Sequence, residues 1–190
     1  MIDKSGILFI ISGPSGVGKG TVLNETLKKF NNIFYSISMT TRKPREGEID
    51  GVNYYFVSKE AFDKLVKEGK MLEYASYCTS CYGTPEEPVK EALLCGCHVV
   101  LEIETHGMHL VKEKYPNAVK ILIIPPYLEI LEKRIRTRGT EDECNIKERL
   151  KTAENELKAI DEYDHVVIND HLEDAVSELT ALFLKYINKK

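Results

Sequence analysis

Ile7-Leu8-Phe9-Ile10-Ile11-Ser12 runs straight into Gly13-Pro14-Ser15-Gly16-Val17-Gly18-Lys19-Gly20-Thr21, and how this stretch is read decides the rest of the chain. The first half is a continuous apolar run of the kind buried on both faces of a parallel sheet. The second half is glycine-rich and carries a lysine. It opens a helix predicted over Thr21–Phe30, whose Val22, Leu23, Thr26, Leu27 and Phe30 share one face. Strand, glycine-rich turn and helix are the setting in which Gly-x-x-x-x-Gly-Lys wraps a phosphate chain. Gly13, Gly16 and Gly18 let the backbone curl so that successive N–H groups point inward. Lys19 adds a point charge, and the helix N-terminus adds its partial positive end. A glycine-rich turn with no ligand needs neither the lysine nor the setting. Gly13, Pro14, Ser15, Gly16, Val17, Gly18, Lys19, Gly20 and Thr21 are therefore expected to bind the phosphates of a nucleoside triphosphate. In the general motif a Ser or Thr follows the lysine and holds Mg²⁺; here Gly20 stands there and Thr21 comes next.

Outward from this loop the apolar runs keep a rhythm. His98–Ile103, Val119–Ile124 and His165–Asn169 read as further buried strands. Helices are predicted over Pro85–Cys95, Gly107–Lys114, Tyr127–Thr137, Asn145–Ile160 and Leu172–Ile187, with Gly96 stopping the first and Pro125-Pro126 preceding the third. This alternation predicts an α/β fold, a P-loop three-layer α/β/α sandwich on a parallel sheet. Two stretches break the rhythm. Tyr35–Ser38 and Met71–Ala75 alternate apolar with polar, with Pro44, Gly47 and Gly51 between them, and Ser58 caps a short helix ended by Gly69. They read as a small insertion with its own mixed sheet. Glu132–Lys151 holds seven bases and five acids around Arg138-Gly139-Thr140, a pattern that suits a mobile, solvated flap.

Composition sets the outer bounds. The 190 residues carry 26 Lys+Arg and 30 Asp+Glu, a net charge of −4. One domain is the default at this length, and it can bury roughly 70% of its unfolded surface without metal or disulfide. Slight acidity argues against nucleic acid as a partner. The longest apolar run is far too short to cross a membrane and the N-terminus lacks a long apolar region, so a cytoplasmic location is expected. The five cysteines include Cys78-x-x-Cys81 and Cys95-x-Cys97. A helix between the pairs would hold them roughly 15 Å apart, so no metal–thiolate site is expected.

The insertion carries Ser38-Met-Thr-Thr-Arg42-Lys-Pro-Arg45-Glu-Gly-Glu48. Two guanidinium forks around a stiffening proline suit a dianionic phosphate held from two sides, with the Ser38 and Tyr54 hydroxyls completing the cradle. Taken alone, an Arg-Lys-Pro-Arg string reads better as an exposed, solvated loop.

At this point the sequence resembles the guanylate kinase family. The matching strings are Gly13–Thr21, Ser38–Glu48, Gly51-Val-Asn-Tyr54-Tyr-Phe56, Leu72-Glu73, Tyr82-Gly83-Thr84-Pro85, Leu101-Glu102-Ile103, Pro125-Pro126, Arg138-Gly139-Thr140 and Val167-Ile168-Asn169-Asp170, in family order over nearly the whole chain. The resemblance implies transfer of the γ-phosphoryl group of ATP, as Mg-ATP, to GMP. It implies one domain over 5–186, made of a core (1–33, 85–131 and 152–190), a GMP-binding region (34–84) and a lid (132–151). Glu73 matches the position that takes guanine's two adjacent N–H donors, Thr84 can donate to O6, and Tyr82 matches a phosphate contact. Glu102 and Glu104 are placed at the GMP pocket, one of the two also oriented toward magnesium-bound water or Lys19. Asn169 is placed at the adenine. Lys19, Arg42, Arg134, Arg138 and Arg149 are the cations expected to act on the migrating phosphoryl group, Arg134 and Arg138 from one helix face.

The chain departs from the family pattern in two places, with Glu104 where Asp is usual and His106 where Gln is usual. The extra methylene moves the Glu104 carboxylate by about 1.5 Å, one C–C bond. No general base stands out, and none is needed, because an acceptor phosphate with a second pKa near ~6 is already mostly dianionic. A non-catalytic binding module of the same family and a P-loop kinase for another monophosphate are the rival readings. The intact phosphate loop speaks against the first, Glu73 and Thr84 against the second. Homo-oligomerisation stays open.

Overall fold

The computed structural model describes residues 5–77, 79–137 and 143–189. In chain order the elements are β1 (Leu8–Ser12), α1 (Lys19–Leu27), β2 (Ile33–Tyr35), β3 (Met39–Thr40), β4 (Tyr55–Phe56), α2 (Lys59–Lys67), β5 (Met71–Tyr77), β6 (Ser80–Pro85) and α3 (Glu86–Leu94). There follow β7 (His98–Glu102), α4 (Thr105–Lys114), β8 (Val119–Ile124), α5 (Leu128–Thr137), α6 (Glu143–Lys158), a 3-10 turn at Ile160–Glu162, β9 (His165–Ile168) and α7 (Leu172–Ile187). A parallel five-stranded sheet runs in the order β2-β7-β1-β8-β9, flanked by helices, and a second, mixed sheet runs β4-β3-β6-β5. This is the predicted α/β class. No helix among the described residues is long and apolar enough to cross a membrane.

The chain divides into two compact units. One comprises Phe9–Asn32, Glu102–Thr105 and Val119–Lys190. Every residue of β1 is buried, as a strand covered on both faces requires, and all but Leu8 belong to this unit. β1 pairs with β8 in register Phe9↔Val119 to Ser12↔Leu122, and β8 pairs with β9 from Ile121↔His165 to Ile124↔Ile168. Phe9 stacks on Phe183 of α7 at 4.4 Å, and Phe30 meets the same ring at 5.7 Å. Helix α1 ends at Leu27, three residues short of the prediction, yet Phe30 still reaches the core from the turn that follows. Its start is two residues early, because Gly18 at φ 94° serves as N-cap and Lys19 is already helical.

The other unit comprises Met1–Leu8, Ile33–Leu101 and His106–Ala118. It holds the mixed sheet, in which β5 and β6 pair antiparallel with Glu73 opposite Thr84, and β3 sets Thr40 opposite Tyr82. Phe62, Met71 and Cys81 form its small core with Met39, Val57, Leu65 and Val66 against them. Ser58 caps α2 as expected, its side chain accepting from the Ala61 N–H at 3.2 Å. The strand expected at Tyr35–Ser38 splits. Ile33–Tyr35 pairs parallel with β7 in the main sheet, and the mixed sheet begins only at Met39. Cys81 is buried on β6, Cys95 and Cys97 follow α3, and Cys78 lies outside the described residues.

Candidate functional site

The phosphate loop lies in the first of these units. Gly16 and Gly18, at φ 90° and 94°, take left-handed conformations that a side chain would strain, and they turn the chain sharply from β1 into α1. The first turn of α1 carries no acidic side chain, so nothing on that turn offsets its positive end. The Lys19 ammonium reaches back over the loop and donates to the carbonyls of Gly13 at 2.5 Å and Pro14 at 3.4 Å.

Two residues expected to contact the nucleotide hydrogen-bond the backbone of the loop. Asn169, buried at the end of β9, donates its amide to the Val17 carbonyl at 2.7 Å. Arg134 of α5 donates to the same carbonyl at 3.2 Å and to the carbonyls of Asn169 at 3.1 Å and Asp170 at 3.4 Å. Arg134 therefore rests on backbone oxygens. Arg149 is half-buried on α6, and Arg138 lies outside the described residues. Glu102 ends β7 with its Oε2 3.8 Å from where a Cβ on Gly20 would stand, so its carboxylate is directed at the phosphate loop. Glu104 falls beyond the strand end and is exposed.

Glu156 of α6 was missed in the sequence. Burial above all pushes its carboxyl up to about 7; Lys19 pulls it down, and the negative charge of Glu104 raises it by less. Its signal was weak, one acid on a helix crowded with charge.

The second constellation lies wholly in the other unit. Glu73 is buried at 7% exposure on β5, and Thr84, buried opposite it on β6, donates to its Oε1 at 2.6 Å. The single proton of the Thr84 hydroxyl thus lies on Glu73, where the sequence reading aimed it at a ligand oxygen. Nearby on β6, the Tyr82 ring meets the Tyr54 ring edge-on at 6.0 Å. The Arg42 guanidinium lies over the Tyr54 and Phe56 rings at 5.5 and 5.7 Å. Ser38 is half-buried just before β3, and its carbonyl accepts from the Tyr55 N–H at 2.9 Å.

Glu48 organises this loop, a role not assigned from sequence. Its carboxylate takes Arg42 Nη1 at 2.8 Å and Nη2 at 2.9 Å, and accepts the Arg45 N–H at 2.7 Å. The hydrogen bond from Arg42, with the Arg45 amide behind it, holds the Glu48 carboxyl down at about 2 despite partial burial. Arg42 in turn is held above its ordinary value, by Glu48 first and also by Tyr82. The Arg45 side chain is exposed. The arginines and Glu48 were all visible in one string, but a contact six residues apart across Pro44 and Gly47 follows no helical or strand period.

Comparison with known proteins agrees with this arrangement. The family described as Guanylate kinase matches residues 5–186. The guanylate kinase of Oceanobacillus iheyensis is 49% identical over 96% of this chain and 88% of its own length. That of a Synechococcus species is 51% identical over 90% of each. The crystal structure of guanylate kinase from Anaplasma phagocytophilum superposes with a TM-score of 0.80 at 29% identity, covering 98% of this chain and 88% of that one. With a phosphate loop in one unit, a buried Glu–Thr pair beside an arginine fork in the other, and relatives matched along almost their whole length, the chain belongs to the guanylate kinase family.

Proposed function

We propose that the chain transfers the γ-phosphoryl group of ATP to GMP, giving ADP and GDP. The observation that carries the choice of acceptor is the buried Glu73 carboxylate held by Thr84. Guanine presents two adjacent N–H donors and the O6 acceptor, and adenine presents the opposite pattern. When guanine's donors arrive at Glu73 they replace the Thr84 hydroxyl there, which frees its proton to turn to O6. Adenine has an acceptor where guanine has N1–H and lacks the 2-amino group, so it offers the desolvated carboxylate no pair of donors, and such sites reject that strongly. Arg42, Arg45, Ser38, Tyr54 and Tyr82 receive the GMP phosphate. The Glu48 pair takes the Nη1/Nη2 edge of Arg42, so the Nε–H edge is the one presented to the phosphate.

The loop Gly13–Thr21 holds the ATP phosphates through its N–H groups and Lys19, and Asn169 stands at the adenine side. Phosphoryl transfer asks the protein to align donor and acceptor and to stabilise spread charge. Lys19, Arg42, Arg134, Arg138 and Arg149 are the cations for this. The GMP phosphate attacks as a dianion without a general base. Regions 34–84 and 132–151 act as the GMP-binding region and the lid of one domain over 5–186, and closure of the lid excludes water that would hydrolyse ATP.

Magnesium fits the donor set. The ion takes one or two carboxylates together with phosphate oxygens and water, and Glu102 directs its carboxylate at the loop beside Gly20. Glu102, directly or through water, would hold it, and Glu104 serves the guanine pocket by resemblance. When bound as Mg-ATP, the ion offsets charge on the transferring phosphates. A role in purine nucleotide metabolism follows from the proposed reaction.

The test is coupled phosphotransfer from Mg-ATP to each of GMP, AMP, CMP and UMP. GMP is expected to be turned over at least about a hundredfold faster than AMP, since a site built to hydrogen-bond one base leaves its polar groups unpaired with the other. Equal use of AMP would overturn the acceptor assignment.

A further inference from the structure

We propose that Gly107 is a specificity-determining position, which sets where the Glu73 carboxylate stands by leaving no side chain of its own. The proposal rests on the reading of Glu73 as the guanine contact.

Gly107 is buried in the first half of α4. A Cβ built on it would lie 2.8 Å from Glu73 Oε2 and 3.1 Å from both Cδ and Cγ. Such distances are too short for carbon against oxygen or carbon, so a side chain at 107 and the present Glu73 rotamer exclude each other. What yields is decided by what else is near. The three nearest atoms all belong to the Glu73 side chain and none to backbone. Glu73 is flexible about its χ angles, so the collision is relieved cheaply for the fold, by swinging the carboxylate. That swing breaks the 2.6 Å bond from Thr84 and takes the carboxylate away from the strand pair that orients it. Alanine is also the better helix former, so nothing in helix propensity calls for glycine in the interior of α4. The close approach of Glu73 is what calls for it. Gly107 touches no substrate in this account. It is a positioning residue, acting through Glu73.

The test compares Gly107→Ala, Glu73→Ala and the double variant with the full-length wild type. Three readouts are taken: KM for GMP, KM for ATP, and melting temperature. Gly107→Ala is expected to raise KM for GMP about tenfold or more, as for displacement of one charge-assisted hydrogen bond, with KM for ATP within about twofold. Its melting temperature should stay within a few degrees of the wild type, the helix-propensity gain of alanine offsetting the lost Thr84 bond. In the Glu73→Ala background, Gly107→Ala should add nothing further to KM for GMP, because the group it displaces is gone. An unchanged KM for GMP in Gly107→Ala, or an equal rise in the Glu73→Ala background, would overturn the proposal. A melting temperature lowered by more than a few degrees would do the same, because then the fold rather than the carboxylate gives way. Wild-type protein that fails to phosphorylate GMP would instead overturn the reading of the site, and this is seen before any substitution is made.

Discussion

Arg42 is an ion-paired residue in this fold, and its partner Glu48 is as firmly tied as it is. Both side chains are under a fifth exposed, and the pair is bidentate. Removing the charge of Glu48 while keeping its shape should let the guanidinium rotate over Tyr54 and Phe56. Glu48→Gln is therefore expected to raise KM for GMP about three- to tenfold while leaving KM for ATP unchanged, as steady-state kinetics in both substrates will show. The same pair has a pH signature. Glu48 is lowered from 4.5 to about 2, so it contributes stability above pH 4.5 that is lost as pH falls toward 2. The melting-temperature gap between wild type and Glu48→Gln should narrow over that window. A constant gap would mean the ion pair is not held in solution. Lys19→Ala and Arg42→Ala should each cost about a hundredfold or more in turnover, being preorganised cations at developing charge. Retention of near-normal rates by either would remove its role.

Elements were legible in the sequence to the extent that their burial was one-sided or complete. Val119–Ile124 and Leu172–Ile187 were readable to the residue, because one is apolar throughout and the other keeps a helical stripe. The split at Tyr35 was not readable: Ile33–Tyr35 join the parallel sheet, while the alternation Tyr35-Ser36-Ile37-Ser38 runs on past the break as though it were one half-exposed strand. Tertiary pairing with β7 overrides the local pattern there. The site divided the same way. The phosphate loop is a contiguous motif and could be read whole. The bracing of Val17 by Asn169 and Arg134, which spans more than a hundred positions for each, could not, because no local spacing encodes it. At this scale the packing of α7 on β1 and α1 is the contact most open to test. Phe183 is fully buried against Phe9 and Phe30. Phe183→Ala should destabilise the chain by about 3–5 kcal/mol in denaturant unfolding, with KM for GMP unchanged in whatever remains folded.

For the molecule as a whole, the balance of charge around the phosphate loop matters more than the net value of −4. Glu156 is raised from 4.5 to about 7 by burial and by Glu104. The folded state therefore holds more protons than the unfolded one between those values, and stability falls as pH rises through them. Glu156→Gln removes that cost. It should raise the melting temperature by about 2 °C or more at pH 8, and by nothing measurable at pH 4.5. The opposite ordering would mean that Glu156 is stabilised in its charged form by Lys19.

Arg134 has an occupation at rest, as a strut between one turn of the phosphate loop and the start of the segment after β9. A guanidinium carries five N–H donors, and these three contacts run through Nη1 and Nη2 alone. Val17 takes the Asn169 amide as well. The carbonyl in the middle of the loop is thus fastened twice over, and the loss of either side chain leaves the other as its anchor.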